Sequence, residues 1–461
     1  MENADGTPRG APRLRRVLTL WDLIFYGVVL IQPIAPVPLY GVAQKLSDGH
    51  FVTIILLALF AMLITAFSYG RMGALYPAAG SAYTYVGQAL NPHLGFLAGW
   101  AMILSYLLQP LINTVWIATA LHERYLPQIP YVVWAAVIAG ILTVLNLAGV
   151  KSSARANEIL LGVMSVVVVA FVVLAVRYLW YGQGWSGLFS IEPLYNPKTF
   201  NPHRIVTATS FAALTYIGFD GVTTLAEDVE NPRRNVPLAV VLTCIFAGGC
   251  SAFLSYLGAR IWPDWRTFPD VVTAFMDICR RVGGSFLFNA MGVTLILAAF
   301  GSGLTGTLGA ARLLFGMGRD GVLPRKFFGY LKPGTSTPTL NILFIGVLAF
   351  VGAVFLNSVG SAYEHAGELL NFGAFLAFLG VNFACFWQFT IIARRSGLSS
   401  RLWRDTVLPL IGFAFCGMIL WNLNRLATIV GGIWFAIGII YVAAKTNLFR
   451  SAPVMIDFSD S

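Results

Sequence analysis

The sequence has little charge. Only 11% of its 461 residues are charged, whereas 57% are hydrophobic, and the mean hydropathy is +0.74. A helix needs about 20 apolar residues to cross a bilayer, and roughly twelve such stretches lie between Leu18 and Ala444. Because little chain remains for a soluble domain, the composition predicts an all-α polytopic membrane protein with about twelve transmembrane helices.

The motifs of several enzyme classes are also missing. The sequence has no P-loop, no HExxH pair and no GxSxG elbow, which disfavours ATP drive, zinc catalysis and serine hydrolysis. Residues 301–306 match GxGxxG, but membrane helix flanks them where a dinucleotide site needs a strand. No CxxC spacing occurs among the cysteines, which are Cys244, Cys250, Cys279, Cys385 and Cys416. We therefore expect no enzyme, no cofactor and no metal site.

The positive charge lies in short loops between the apolar stretches. The net charge is +10, but it is not gathered on one face, so nucleic acid is not an expected partner. Roughly two thirds of the Lys and Arg residues fall in alternate loops, which the positive-inside rule places in the cytoplasm. The loop between Arg260 and Arg281 is an exception. This pattern predicts that both termini are cytoplasmic.

A carboxylate stands inside one of the apolar stretches. Asp220 lies in the middle of 208–228, with Gly218 and Gly221 beside it. A carboxylate at the middle of a bilayer costs about 2.5–3.5 kcal/mol on insertion scales, so such residues usually face a cavity. Glycine lets the backbone leave the helix, which a membrane tolerates only where the freed groups line protein or water. We predict a helix break over 218–221 that faces a solute site.

The first apolar stretch, 17–43, is interrupted as well. Its middle, 32–38, reads Gln-Pro-Ile-Ala-Pro-Val-Pro, and each proline removes a donor and clashes with the preceding turn. A simple proline kink is the alternative. The second interruption comes five spans after the first, so the second half of the chain enters the membrane in the opposite orientation. Paired interruptions of this kind predict an inverted-repeat transporter whose breaks meet at mid-membrane.

The hydropathy pattern gives the predicted spans in order. They are 17–43, 51–70, 83–121, 131–149, 158–178, 208–228, 236–261, 286–316, 339–356, 368–392, 406–422 and 428–444. We expect a cytoplasmic tail at 1–16, a first repeat at 17–200 and a second repeat at 201–395. The remainder, 396–461, is predicted to hold two accessory helices and a cytoplasmic C-terminus.

Two further spans carry polar residues. Ser105, Tyr106, Gln109 and Asn113 share one face of the third span, and such a stripe either joins helices or lines a cavity. In the eighth span, the hydroxyl groups of Ser302, Thr305 and Thr307 are expected beside unwound carbonyls of the first span. Oxygen ligands suit a hard cation, so Ser302 and Thr305 form a candidate sodium site. Plain helix packing is the alternative.

Asp220 itself has two interpretations. A carboxylate at a break can cap the following half-helix or accept a hydrogen bond from a neighbouring backbone amide. Alternatively it lines the cavity as a proton carrier, as the counter-ion of an amine, or as both in turn. An amino acid would also use the amide and carbonyl ends of the broken helices. A diamine would want a second acid, and a second deep carboxylate is missing, although aromatic faces are available at Tyr40, Tyr106, Tyr216 and Phe219.

Several stretches resemble the amino acid, polyamine and organocation permease superfamily. They are PAAGSAYTY at 77–85, NPHLGF at 91–96, GFDGVTTLAED at 218–228 with NP at 231–232, and MGRDGVLP at 317–324. The runs LSDGH at 46–50, SAYTY at 81–85 and NFGA at 371–374 make the chain most similar to bacterial putrescine-importer-type permeases. Two positions depart from the family. The usual glycine-rich break of span one reads QPIAP at 32–36, and Met164 stands where some proton-coupled relatives hold a lysine.

The resemblance implies a leucine-transporter-like fold with a five-plus-five inverted repeat and discontinuous helices 1 and 6. It also implies alternating access in a bacterial inner membrane, with substrate held between spans one, three, six, eight and ten. We therefore expect import of a polyamine such as putrescine, or of an amino acid, coupled to H⁺ or to Na⁺ and with Asp220 as the proton-coupling residue. An amino acid exchanger, a sodium-coupled amino acid symporter, a channel and a transport-dead sensor are the alternatives. The predicted substrate-binding residues are Gln32, Ile34, Ala35, Tyr106, Gln109, Asn113, Tyr216, Phe219, Asp220, Phe300, Thr305 and Asn371.

Overall fold

The computed structural model describes residues 17–271, 273–333, 336–359, 362–395 and 401–450. The predicted tail at 1–16 and residues 451–461 lie outside this range. The helices, in order, are α1 Leu20–Ile31, α2 Pro36–Leu46, α3 Phe51–Leu75, α4 Ala82–Ala89, α5 Pro92–Ala120, α6 Tyr131–Leu147, α7 Val150–Gln183, α8 Trp185–Leu188, α9 Pro202–Ala212, α10 Gly221–Thr224, α11 Pro232–Ile261, α12 Ala274–Arg319, α13 Arg325–Phe328, α14 Thr339–Val359, α15 Ala362–Phe386, α16 Ala393–Arg395, α17 Leu408–Trp421 and α18 Arg425–Lys445.

The described helices match a polytopic membrane protein. Ten segments are long and apolar enough to cross a bilayer, and the pair α1 and α2, bent by 51°, adds an eleventh. The shorter apolar helix α6 has 17 residues. The prediction of an all-α protein with about twelve spans is confirmed.

The first break lies between α1 and α2. Thr19 and Asp22 form a capping box that starts α1, and Gln32 leaves the helix with a φ of 67°. Pro36 then opens α2, where its missing N–H costs nothing because first-turn amides have no partner within the helix. The predicted break is confirmed, but it covers 32–35 and not the whole of 32–38. The reason is that Pro36 and Pro38 fall in the first turn of α2.

The second break follows α9. Asn201 caps α9 through the amides of His203 and Arg204, and the chain continues as the 3₁₀ turn Ala213–Tyr216. The backbone then unwinds over 217–220 before α10 begins. Gly218 has a φ of +117°, a conformation that side-chain-bearing residues rarely adopt. The break predicted around Asp220 is therefore confirmed.

The predicted third span was wrong in its extent. The single helix expected over 83–121 is two helices, α4 and α5, separated at Leu90 and Asn91. Asn91 caps α5 and Pro92 occupies its first turn, so the chain restarts a helix in a new direction there. Hydropathy overlooked this because both sides of the junction are apolar.

Several other spans are longer than predicted. Helix α3 continues to Leu75, α7 begins at Val150, and α12 extends from Ala274 to Arg319. Non-helical dihedral angles at Gly283 and Gly284 divide α12 into two parts. The hydropathy pattern finds the apolar portion of each helix, whereas the helices extend into their polar ends.

The broken helix lies at the centre of the molecule. In Pro202–Thr224, 78% of the most apolar window is buried, against 17% in Ser153–Gln183 of α7. Helix α7 therefore lies at the outside, with its apolar side chains available to lipid. Helix α18 packs on α5 through Trp100 and Trp434, whose rings stack at 4.7 Å and whose indole N–H groups each donate to the other's carbonyl. This packing fits the accessory role expected for the last two spans.

Candidate functional site

Asp220 is buried and is hydrogen-bonded to a tyrosine of α5. Its side chain is in the second break, the residue is 2% exposed, and its Oδ2 accepts a hydrogen bond of 2.7 Å from the Tyr106 hydroxyl. The Asp220 side chain makes no capping bond to α10. The carboxylate faces α5 and also has hydrogen bonds to the backbone at Gly218 and Asp220, so it is a partner for neighbouring amides without capping α10.

The two breaks touch each other at Leu30, near the end of α1. A Cβ atom added at Gly221 would lie 2.3 Å from Leu30 Cδ2 and 3.3 Å from the Tyr106 hydroxyl. A Cβ atom at Gly218 would lie 2.9 Å from Leu30 Cγ. The glycines beside Asp220 are thus needed for close approach as well as for backbone conformation. The predicted meeting of the two breaks is present in the structure.

A second polar group joins the first break to α5 and α12. Gln32 Nε2 donates to Asn113 Oδ1 at 3.3 Å, and Gln109 Nε2 donates to Ser302 Oγ at 2.7 Å. Asn113 Nδ2 also reaches Ser302 Oγ at 3.3 Å, and Ser302 donates to the carbonyl of Leu30 at 2.9 Å. The polar stripe of the third span therefore joins helices at its Gln109–Asn113 end and contacts Asp220 at Tyr106.

The Ser302 hydroxyl of the candidate sodium site is committed to other bonds. A serine hydroxyl has one donor and two acceptor positions, and Ser302 uses all three in the bonds just described. Thr305 donates to the carbonyls of Gly301 and Ser302 in its own helix, while its carbonyl accepts from Tyr26 at 2.8 Å. A cation at Ser302 would have to displace an amide donor. This holds for Ser302 alone, because Thr305 Oγ1 acts only as a donor in these bonds and keeps its acceptor positions.

Other predicted site residues lie away from Asp220 and Ser302. The Tyr216 hydroxyl donates to the carbonyl of Ile55 in α3, and the Phe219 ring packs against Tyr69 and Phe378. Phe300 packs beside the apolar cluster that contains Leu142. Ile34 is fully buried and Ala35 is half-buried, both within the first break. These side chains shape the surroundings of the breaks without joining either polar group.

Asn371 lines a different space, which we call the α9 cleft. The cleft has a volume of about 830 Å³ and lies between α2, α9, α15 and the loop that precedes α18. Asn371 and Glu368, one turn apart on α15, lie on one side of it. Sequence reasoning placed Asn371 at the central site, and the structure places it in this neighbouring cleft.

The opposite end of the broken helix carries an ion-pair network that the sequence analysis missed. Its members are Tyr83, Glu227, Asp228, Arg312, Arg319 and Asp320. Arg312 pairs with Asp228 at 2.9 Å, and Arg319 pairs with Glu227 at 2.8 Å. A signal was available, since Arg312 lies inside the predicted eighth span and an arginine within a membrane helix usually has a partner.

The network seals this end of the molecule. Glu227 Oε1 accepts from the amide of Ala79, and the Tyr83 hydroxyl donates to Asp320 Oδ2 at 2.8 Å. The amides of Val17 and Leu18 both donate to the carbonyl of Asp228, which attaches the start of the described chain here. Ion pairs and hydrogen bonds therefore join several segments at the network end, and the α9 cleft lies along the other end of the broken helix.

Two carboxyl groups of the network lie beyond the membrane spans and have shifted pKa values. Burial raises the pKa of Asp320 to about 6, although Arg319 and the Tyr83 hydrogen bond oppose the shift. Burial also acts to raise the pKa of Glu227, but Arg319 outweighs it and holds that pKa below its usual value. The pKa values of the two groups are therefore shifted in opposite directions.

Among the described residues, no group of three or more His, Cys, Asp or Glu side chains could hold a metal ion. The polar groups nearest the two breaks are the Asp220 carboxylate with its tyrosine and the amide and hydroxyl groups around the first break, and the paired charges of the network lie beyond them. Such an arrangement can bind a small polar or cationic solute.

Comparison with known proteins identifies relatives of this chain. A profile of the amino acid permease family matches residues 37–446. The low-affinity putrescine importer PlaP of Escherichia coli (strain K12) is 33% identical over 440 residues, which cover 95% of this chain and 95% of PlaP. The branched-chain amino acid permease BcaP of Lactococcus lactis is 25% identical over 460 residues, covering 94% of this chain and 95% of BcaP.

A solved structure agrees on the fold. The crystal structure of MhsT in complex with L-phenylalanine superimposes with a TM-score of 0.57 at 16% identity, covering 89% of this chain and 98% of MhsT. At this identity the likeness concerns the fold alone. It confirms the leucine-transporter-like architecture expected from the sequence.

Proposed function

The chain belongs to the amino acid permease family, and on that premise we propose that it is a secondary active transporter importing a small amine-bearing solute. Its family and its spans make it a multi-pass membrane transporter and not an enzyme. We further propose a substrate, a coupling ion and a mechanism.

The observation that carries the proposal is the position of Asp220. Its carboxylate stands in an unwound segment, in contact with Tyr106 of α5 and close to the end of α1. Within the described parts of the chain no cation pairs with Asp220, and such a buried anion attracts a positively charged ligand, since charge-assisted hydrogen bonds are stronger than neutral ones. An ammonium group at Asp220 would compensate the charge that burial leaves there.

We favour a polyamine such as putrescine as the substrate. The similarity to PlaP supports this class, and PlaP is named as a putrescine importer. An amino acid is the second candidate, because half-helix ends beside the breaks offer amides to a carboxylate and carbonyls to an ammonium group. The similarity to BcaP supports that candidate.

Proton coupling suits the polar groups better than sodium coupling does. Ser302 has no free oxygen lone pair for a cation, as its two amide donors occupy both acceptor positions. Asp220 can take up a proton when no amine is bound, because burial disfavours a bare charge. In the proposed cycle Asp220 holds either a proton or the ammonium group of the substrate.

Alternating access follows from the two ends of the broken helices. The formed network and the α9 cleft support a state that admits solute from the cleft side. The positive-inside rule supports a cytoplasmic position for the network end in a bacterial inner membrane, and in the proposed orientation the cleft opens outward. Rocking would close the cleft and separate the ion pairs of the network.

A ligand screen on purified protein tests the proposal. Thermal shift with putrescine, spermidine, lysine, leucine and alanine should show stabilisation by an amine, because a ligand of the folded state adds RT ln(1 + [L]/Kd) to stability. Asp220→Asn should reduce that stabilisation. Stoichiometric counterflow in liposomes would then exclude a channel and a transport-dead sensor. If no solute stabilises the wild-type protein, the proposed function fails.

A further inference from the structure

The α9 cleft leads from the surface toward the second break. Seven residues of α9 and its 3₁₀ extension line it, namely His203, Arg204, Thr207, Ala208, Ser210, Phe211 and Leu214. From His203 to Leu214 a helix rises by about 16 Å, so the cleft follows α9 for its whole length. Leu214 is in the turn that ends just before the unwound segment of Asp220.

Two buried polar atoms at the lining of the cleft have no partner. The residue Asn371 is 2% exposed and Ser210 is 8% exposed. Neither Asn371 Oδ1 nor Ser210 Oγ makes a hydrogen bond within the described parts of the chain. Buried polar groups are nearly always satisfied, so a pair of them at one cavity indicates a ligand or ordered water. Both atoms can accept a hydrogen bond.

The charged and aromatic side chains of the cleft favour a cation at this position. Glu368 precedes Asn371 by one helical turn and lines the same side. Phe211 and Trp265 add aromatic rings, whose faces attract cations.

The basic groups of the cleft lie toward its rim. Arg204 is paired with Asp48 at 2.6 Å, which offsets its charge. Lys45, at the exposed end of α2, and His203, at the exposed start of α9, are the other basic side chains that line it. The deeper wall therefore offers a carboxylate and neutral acceptors.

We propose that Glu368, Asn371 and Ser210 form a second binding site for an ammonium group, separate from Asp220 and reached first by an incoming amine. An ammonium group has three N–H donors, which match the carboxylate, the amide oxygen and the hydroxyl oxygen. The inference rests on the proposed function in that the solute is an amine. It also supplies the acid outside the central site that a diamine would want and that the sequence analysis did not find.

Binding measurements on purified protein in the Asp220→Asn background test this site. With the central carboxylate removed, putrescine and butylamine should still bind by isothermal titration. Adding Glu368→Gln should weaken both by at least about tenfold, because it removes a charge-assisted hydrogen bond. Asn371→Asp should instead tighten amine binding, since it adds a second negative charge. Glu192→Gln is the matched control, as Glu192 is 66% exposed and outside the cleft, and it should leave affinity unchanged.

The outcomes separate the two proposals. Equal amine affinity with and without Glu368→Gln overturns the second site while leaving Asp220 in place. Loss of amine binding in Asp220→Asn alone, with a normal melting temperature, overturns it as well. Failure of wild-type protein to bind any amine overturns the proposed function first. A weakening by Glu368→Gln matched by a strengthening by Asn371→Asp supports the site, because a folding defect would not improve binding.

Discussion

The hydrogen bond between Tyr106 and Asp220 joins an intact helix to an unwound segment. Hydrogen bonds to a charged group contribute about 1.5–3 kcal/mol, more than neutral ones do. Tyr106 therefore fixes the position of the carboxylate that the proposed mechanism uses. Its hydroxyl lies beside Gly221, where the second break meets Leu30, so a rearrangement of either break would change this hydrogen bond.

We predict that Tyr106→Phe weakens amine binding and uptake by about tenfold to a hundredfold, since the carboxylate loses the donor that orients it. Binding to purified protein and initial uptake rates in cells measure the change. Tyr131→Phe is the control, because the Tyr131 hydroxyl donates to the carbonyl of Ala353 in a different part of the molecule. Equal effects of the two substitutions would show that Tyr106 has only a packing role.

A second prediction concerns Gly221. Its substitution by alanine should lower the melting temperature, because the new Cβ atom would stand 2.3 Å from Leu30 Cδ2 and overpacking costs about 1–3 kcal/mol. Gly249→Ala, where an added Cβ meets no atom within 4 Å, should be neutral or stabilising. Combining Gly221→Ala with Leu30→Ala should recover part of the loss. If Leu30→Ala gives no such recovery, the contact between Leu30 and position 221 is not the cause of the lower melting temperature.

Single residues also show what the sequence could and could not predict. Asp220 was recognisable because an acid between glycines stands out in an apolar stretch. Arg312 was equally visible within the eighth span, but its partner Asp228 is 84 residues away and only the fold brings the two together. The directions of Tyr216 and Phe219 were not predictable, since unwound backbone has no fixed period from which to derive a face.

At the scale of elements, the ion-pair network decides which end of the broken helix is closed. Arg319 reaches Glu227 and Asp320, and Arg312 reaches Asp228, so α12 is attached to the segment after α10. Removing one partner of a buried pair leaves an uncompensated charge, which is costly. The network therefore stabilises the closed end relative to an opened one.

We predict that Arg319→Gln opens this end. A cysteine introduced at Ser81, which is fully buried and whose hydroxyl lies 2.7 Å from that of Thr223, should react slowly with maleimide in otherwise wild-type purified protein. In the Arg319→Gln background its labelling rate should rise by about tenfold or more, as expected for a shift of about 1.4 kcal/mol. Arg266→Gln, at an exposed pair, is the control. Unchanged labelling would mean that the network does not hold the end closed.

The network also predicts a pH dependence. Burial raises the pKa of Asp320 from 3.8 to about 6, so the folded protein binds its proton more tightly than the unfolded chain does. Its contribution to stability is therefore present below about pH 4 and is lost as the pH rises through about 6. Asp320→Asn should remove this part of the decline in melting temperature between those values. Asp264→Asn, at an exposed position, serves as the control.

Parallel pH profiles of Asp320→Asn and wild-type protein would contradict that assignment. Glu227 has a lowered pKa, so its contribution to stability is lost only at more acid pH. Its effect on the melting temperature is therefore separated in pH from that of Asp320. The two responses can therefore be measured in one titration.

Elements were predicted well wherever hydropathy and turn residues agreed. Both breaks were found because proline and glycine mark them, yet the first was predicted too long since Pro36 is as good a helix start as a helix stop. The junction between α4 and α5 was missed, although Asn91 and Pro92 form a start signal. Apolar flanks on both sides concealed it.

At the scale of the whole molecule, the α9 cleft, the second break and the network follow one another along the broken helix. The cleft is lined by α9, Asp220 lies in the unwound segment after it, and Glu227 of the network comes next. The accessory helices lie outside this series of features, with α18 fixed to α5 by the paired tryptophans. The architecture follows from paired interruptions that the sequence displays, whereas the open end and the closed end depend on contacts between distant segments.

The most direct test of the central claim is uptake of labelled putrescine into proteoliposomes under an imposed pH gradient, inside alkaline, comparing wild-type protein with Asp220→Asn of equal melting temperature. We predict that wild-type protein accumulates putrescine and that accumulation collapses when the gradient is removed. Asp220→Asn should show no accumulation above that of empty liposomes. Equal, gradient-driven accumulation by the two proteins would contradict the assignment of Asp220 as the residue that binds the amine and the proton.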